Sequence, residues 1–123
     1  MANEMALLAR AEFLSKIESK YQQALDIIND AIQKYPDSHY PVLSKAFIAA
    51  RERDLGNLKT SYEKLELLAK RKTISEEGMS RLKAQIMALE GDIDGAVAYA
   101  EKKLTRCPES SRQAFVSKLK DLA

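Results

Sequence analysis

The sequence predicts an all-α protein, and three observations support that fold class. Apolar residues recur at intervals of three and four, the spacing of one face of an α-helix. Only 4 Gly and 3 Pro occur in 123 residues, and Val, Ile and Thr form no alternating runs of the kind that indicate strands. A helix, a Gly-Asp turn and a second helix follow one another between Leu82 and Pro108, and parts of this pattern recur upstream.

The first two helices are expected at about residues 4–18 and 21–35. Leu7, Ala11 and Leu14 give the first helix one apolar face. The second helix carries the spacing Y-x2-A-x3-I-x2-A-x4-P between Tyr21 and Pro36. This run therefore predicts an amphipathic helix that closes with a proline.

The third and fourth helices are expected at about residues 41–53 and 56–71. Pro41 suits a first helical turn, where its missing N–H would have no helical partner. Two positions are possible for the turn between these helices. Either Arg53 stands where a glycine would be expected, or Gly56 makes the turn and the third helix is three residues longer. The apolar positions of the pair are Leu43, Ala46, Phe47 and Ala50, followed by Leu58, Tyr62 and Leu65. Lys70-Arg71-Lys72 then complements the helix dipole, or docks an acidic peptide or RNA.

The fifth, sixth and seventh helices have clear end signals. Ser75 is expected to cap the fifth helix, and Asp92 or Asp94 the sixth. The spacing Ser110-x-x-Gln113 reads as a capping box that opens the seventh helix. That last helix carries an apolar stripe at Phe115, Leu119 and Leu122.

The segment from Leu82 to Pro108 resembles a tetratricopeptide (TPR) repeat, with Ala84 before the Gly-Asp turn, Ala96 after it and a terminal proline. Pro36 and Pro108 lie 72 residues apart (108 − 36), about two periods of roughly 34 residues with small insertions. The resemblance implies one domain, an α-α superhelix of seven helices. Three TPR-like hairpins would span residues 4–36, 37–72 and 75–108, and a C-terminal capping helix residues 110–122.

The resemblance further implies a protein–protein interaction adaptor or scaffold, chaperone-like in the broad sense and a module of a larger protein or assembly. Its concave groove would hold a peptide or a partner helix. The groove residues on the first helices of the second and third hairpins would be Tyr40, Leu43, Phe47, Arg81, Gln85 and Leu89. Leu43 and Phe47 equally suit packing between hairpins. A carboxylate clamp is not supported, because Ser44, Phe47 and Leu82 stand near where its polar residues would lie.

Two other functions are compatible with the sequence. The chain could be a self-associating scaffold that forms a homodimer through an apolar end or edge. It could also bind calcium, because Glu90, Asp92, Asp94, Gly95 and Glu101 fall on the spacing of an EF-hand loop. Against calcium, a glutamate occupies the first ligand position, no second loop exists, and Gly-Asp is ordinary turn chemistry. We therefore expect no metal and no cofactor.

Catalytic residues are not expected, and the chain is interpreted as a non-enzyme. His39 is the only histidine and Cys107 the only cysteine, and neither has an evident catalytic partner. A net charge of +2 is too small for a phosphate-tracking surface, so nucleic acid is not expected as a partner. No apolar run reaches the roughly 20 residues of a membrane span. One cysteine and no signal peptide predict a cytoplasmic protein, or a domain excised from a longer one.

Overall fold

The computed structural model describes residues 4–17, 19–69 and 75–122. Seven α-helices and no strands occur in these ranges, which confirms the all-α fold class. The end of the first predicted helix, Glu18, and the basic run Lys70-Arg71-Lys72 lie outside the described residues. The helices are α1 (Glu4–Ser15), α2 (Tyr21–Lys34), α3 (Tyr40–Glu52), α4 (Leu55–Ala69), α5 (Glu76–Leu89), α6 (Ile93–Lys103) and α7 (Glu109–Asp121).

The chain divides into two compact units, residues Met1–Lys72 and Thr73–Ala123. In the first unit α1 packs on α2, α3 packs on α4, and α3 also contacts both α1 and α2. In the second unit α5 packs on α6, and α7 contacts both of them. The three predicted hairpins are therefore α1–α2, α3–α4 and α5–α6.

Each unit has its own apolar core, and small side chains lie at the helix contacts. Alanine allows two helix axes to approach closely, whereas a bulky side chain would push them apart. The core of the first unit contains Leu8, Ala11, Ala24, Ile28, Ala31 and Ile48. The core of the second unit contains Ala84, Ala88, Ala96, Ala100, Leu104, Phe115 and Leu119. Phe115 and Leu119 are buried, so the predicted stripe of the last helix does face its neighbours.

The described part of each hairpin turn contains a residue with a left-handed backbone. These residues are Ser19 (φ 69°), Arg53 (φ 60°) and Gly91 (φ 99°). The alternative left open for the middle hairpin is therefore decided: α3 ends at Glu52, Arg53 makes the turn, and Gly56 lies inside α4. A side chain in this conformation costs about 1–2 kcal/mol relative to a right-handed one, which the rest of the hairpin must offset.

Side-chain caps begin α4, α5 and α6. Ser75 accepts a hydrogen bond from the backbone N–H of Gly78, as predicted, and Asp92 accepts one from that of Gly95. Asp54, which the sequence interpretation left unassigned, accepts one from that of Asn57 at 3.2 Å. Each bond satisfies one of the backbone donors that a helix N-terminus leaves unpaired.

The predicted capping box of the last helix is wrong. The helix begins at Glu109, after the extended residue Pro108, so Ser110 already has a helical backbone and cannot be the cap. Gln113 instead donates its side-chain amide to Glu109 Oε1 at 3.1 Å. Among the described residues, no helix has the length and apolar character needed to cross a membrane.

Candidate partner-binding surface

One face of α3 carries the three groove residues predicted for the first unit. Tyr40, Leu43 and Phe47 follow at intervals of three and four, so they share one side of the helix. Tyr40 is 50% exposed and Phe47 39% exposed, while Leu43 is half-buried. Other residues of α3 hold the helix in the core: Pro41, Val42, Ala46, Ile48, Ala49 and Ala50 are buried. The two aromatic side chains are therefore presented to solvent by a fixed helix.

Different groups lie at the two ends of this α3 face. At its start, Tyr40 lines an open cleft of about 450 Å³ formed with the α2–α3 connection, and the His39 ring lies 4.3 Å from the Tyr40 ring. One turn after Phe47, Arg51 pairs with Glu12 of α1 at 3.0 Å and donates to Ser15 Oγ at 2.9 Å. The pair is solvent-exposed, so it contributes at most about 1 kcal/mol, but it ties α1 to α3.

The groove residues predicted for the second unit lie along α5 and are all half-buried. Arg81 is held in place, because its guanidinium bonds Glu77 Oε1 at 3.0 Å and lies 4.9 Å from the centre of the Phe115 ring. The side-chain oxygen of Gln85 is shielded from solvent and has no hydrogen-bond partner among the described residues. Leu89 ends the helix. Because this oxygen is shielded, it gives no structural support for ligand binding at Gln85.

A thiol cluster in the second unit was missed by the sequence interpretation. The Cys107 thiol donates to Glu77 Oε1 at 2.8 Å, and Arg81 lies within 3.8 Å of the sulfur. The hydrogen bond to Glu77 raises the pKa of the Cys107 thiol. The hydrogen bonds from Cys107 and Arg81 lower the pKa of the Glu77 carboxyl. The thiol is thus kept protonated, which opposes nucleophilic reactivity.

A second polar cluster, around Asp54, joins the two hairpins of the first unit. Tyr21 at the start of α2 donates its hydroxyl to Asp54 Oδ2 at 2.7 Å, and the Asn57 side chain donates to the same oxygen at 2.6 Å. Burial opposes ionisation of Asp54, but the bonds from Asn57 and Tyr21 outweigh it and lower the pKa of this carboxyl. Burial and the bond to Asp54 raise the pKa of Tyr21. The bond between Tyr21 and Asp54 joins residues 33 positions apart in the sequence, so it had no local signal.

The segment that the sequence suggested as an EF-hand calcium loop, residues 90–101, is mostly helical. Residues Ile93–Lys103 form α6, so Glu101 lies inside a helix, and the Asp92 carboxylate bonds the backbone of Gly95. The geometry supports a cap at Asp92 and not a ligand loop. Within residues 4–17, 19–69 and 75–122, no group of three or more His, Cys, Asp or Glu side chains is arranged to hold a metal ion.

Exposed apolar side chains occur on α1 and just after it, outside the predicted inner face, which the sequence interpretation also missed. Met5 is 62% exposed and Phe13 67% exposed, and Ile17 just after the helix is exposed as well. A signal was present, because Phe13 and Ile17 fall out of phase with the inner positions Leu7, Ala11 and Leu14.

Comparison of the chain with protein-family models, with curated proteins and with solved structures finds no match.

Proposed function

We propose that the chain is a TPR-like helical-repeat adaptor that holds a peptide or a partner helix against the exposed face of α3. One observation carries the proposal: Tyr40 and Phe47 are exposed aromatic side chains on a helix that six buried residues hold in the core. Aromatic side chains are frequent anchors of protein interfaces, and a fixed helix loses little entropy when they are covered.

The spacing of Tyr40 and Phe47 limits the kinds of partner that can contact both side chains. Tyr40 and Phe47 lie seven positions apart on the helix (47 − 40), a rise of about 10.5 Å. That distance equals two turns of a partner helix, or about three residues of an extended peptide. Both modes of recognition place apolar anchors at such intervals. The partner is therefore expected to carry two apolar side chains about 10 Å apart.

The second unit supports the same function with a polar group. Arg81 offers a positively charged group whose position is fixed by Glu77 and Phe115. Leu82, near a position that a carboxylate clamp would fill with a polar residue, is fully buried.

The test uses a displayed library of random 16-residue peptides panned against the full chain. We expect enriched peptides to bind the wild type and to lose at least about tenfold in affinity for the double variant Tyr40→Ala/Phe47→Ala. Leu67→Ala is the matched control, because Leu67 is 64% exposed on α4. Thermal unfolding checks that each variant remains folded. Equal binding to the double variant, or no enrichment at all, would remove the α3 face as a binding surface.

A further inference from the structure

The outer face of α1 carries Ala6, Arg10 and Phe13, followed by Ile17 just beyond the helix. All four residues are exposed. Phe13 is 67% exposed, which is unusual for a phenylalanine in a folded protein. Arg10 forms no ion pair or hydrogen bond among the described residues. This face therefore combines a large apolar ring with an unpaired cation.

Positions on α3 that are equivalent to this face of α1 are in contact with another helix of the chain. Ala11 and Ala46 are both fully buried, and aligning them shifts the sequence by 35 residues (46 − 11). The shift places Phe13 at the position of Ile48 and Arg10 at the position of Lys45. Ile48 is buried in the core made by α1 and α2, and Lys45 Nζ donates to Asn29 Oδ1 of α2 at 2.9 Å. On α3, then, this face is covered by the second helix of the preceding hairpin.

We propose that the outer face of α1 binds one amphipathic helix of a partner protein, packed as α2 packs on α3. The apolar seam of that helix covers Phe13, and an acidic side chain at the position of Asn29 pairs with Arg10. Charge decides against a second copy of the chain as the occupant. The cation on this face is Arg10, and the described cation Lys16 is already paired with Glu12 at 3.9 Å. Two copies meeting here would bring like charges together.

The probe for this surface is a peptide of residues 21–35 with the substitution Asn29→Asp. A hydrocarbon staple replaces the exposed Asp30–Lys34 ion pair, which lies at i and i+4 with 3.2 Å between its charged atoms. The staple is needed because an isolated helix of this length is marginal in water. Binding of the labelled peptide to the full chain is measured by fluorescence anisotropy.

We expect the peptide to bind the wild type with a Kd of about 10–100 µM. Phe13→Ser should weaken binding at least about tenfold. Arg10→Glu should remove the preference for the Asn29→Asp peptide over the peptide that keeps Asn29. Two controls should bind like the wild type: Leu67→Ser, a comparably exposed site on α4, and Tyr40→Ala/Phe47→Ala, which removes the separate α3 face.

Three results would overturn the proposal. The first is no binding of the peptide to the wild type. The second is equal weakening by Phe13→Ser and Leu67→Ser, which would mean that any exposed apolar residue suffices. The third is a dimer in sedimentation equilibrium that Phe13→Ser dissociates, which would place a second copy on this face.

Discussion

The Asp54 side chain makes contacts within its own hairpin and with the other hairpin of the first unit. It caps α4, accepts the Tyr21 hydroxyl from the neighbouring hairpin, and follows the left-handed turn residue Arg53. Hydrogen bonds to an ionised group are roughly twice as strong as neutral ones. Asp54 therefore connects the turn of one hairpin to the first helical turn of the other.

Tyr21→Phe should lower the free energy of unfolding by about 1 kcal/mol at pH 7, because a charge-assisted hydrogen bond is lost. The folded pKa of Asp54 is lowered, so its contribution is present above the unfolded value of about 3.9 and is lost as the pH falls through the folded pKa. The difference between variant and wild type should therefore shrink below about pH 4.

Urea unfolding at a series of pH values measures this difference. Tyr40→Phe, at an exposed tyrosine, serves as the control and should leave stability unchanged at every pH. A loss in Tyr21→Phe that does not vary with pH would show that the ionised Asp54 is not the group Tyr21 stabilises.

The sequence predicted the positions of the helices better than any other feature of the structure. All seven were predicted, because apolar periodicity and end signals such as Ser75 and Gly91-Asp92 are local in sequence. The start of α7 was misplaced because Pro108 takes an extended backbone and lets the helix begin at Glu109.

The candidate site was less predictable than the helices. The spacing of Tyr40, Leu43 and Phe47 predicted a shared face but not their exposure, which depends on what packs against α3. Contacts such as Cys107 with Glu77 join residues 30 positions apart, and no local period encodes them. The exposed Phe13 was detectable only as a residue out of phase with its own helix.

Asp92→Ala should destabilise the protein by about 1 kcal/mol, because the first turn of α6 loses its cap. Asp94→Ala should cost only a few tenths of a kcal/mol, since Asp94 acts there only through the helix dipole. Chemical denaturation with and without millimolar calcium measures both effects. Calcium that raised the free energy of unfolding of the wild type, but of neither variant, would contradict the assignment of Asp92 as a cap.

At the scale of the whole molecule, the two compact units each have a core of their own. The sequence interpretation took the chain as one domain, and that remains a prediction. In repeat architectures stability is approximately local, so damage to one core need not spread through the chain. The units are therefore expected to differ in how they respond to a core substitution.

Leu119→Ala removes a fully buried side chain and should cost about 2–5 kcal/mol in the second unit. Hydrogen exchange followed by mass spectrometry should show lost protection in α5, α6 and α7 and unchanged protection in α2, α3 and α4. Ile28→Ala is the reciprocal control in the first unit. Loss of protection in all these helices at once would mean that the chain unfolds as one cooperative domain.

The alanine residues at the helix contacts affect how much empty space the folded protein contains. Hydrostatic pressure unfolds proteins largely by removing the empty space trapped inside them. Helices that meet through the methyl groups of Ala84, Ala96 and Ala100 trap little such space, because no long side chain must be fitted between the axes. The protein should accordingly resist kilobar pressure better than its modest size suggests.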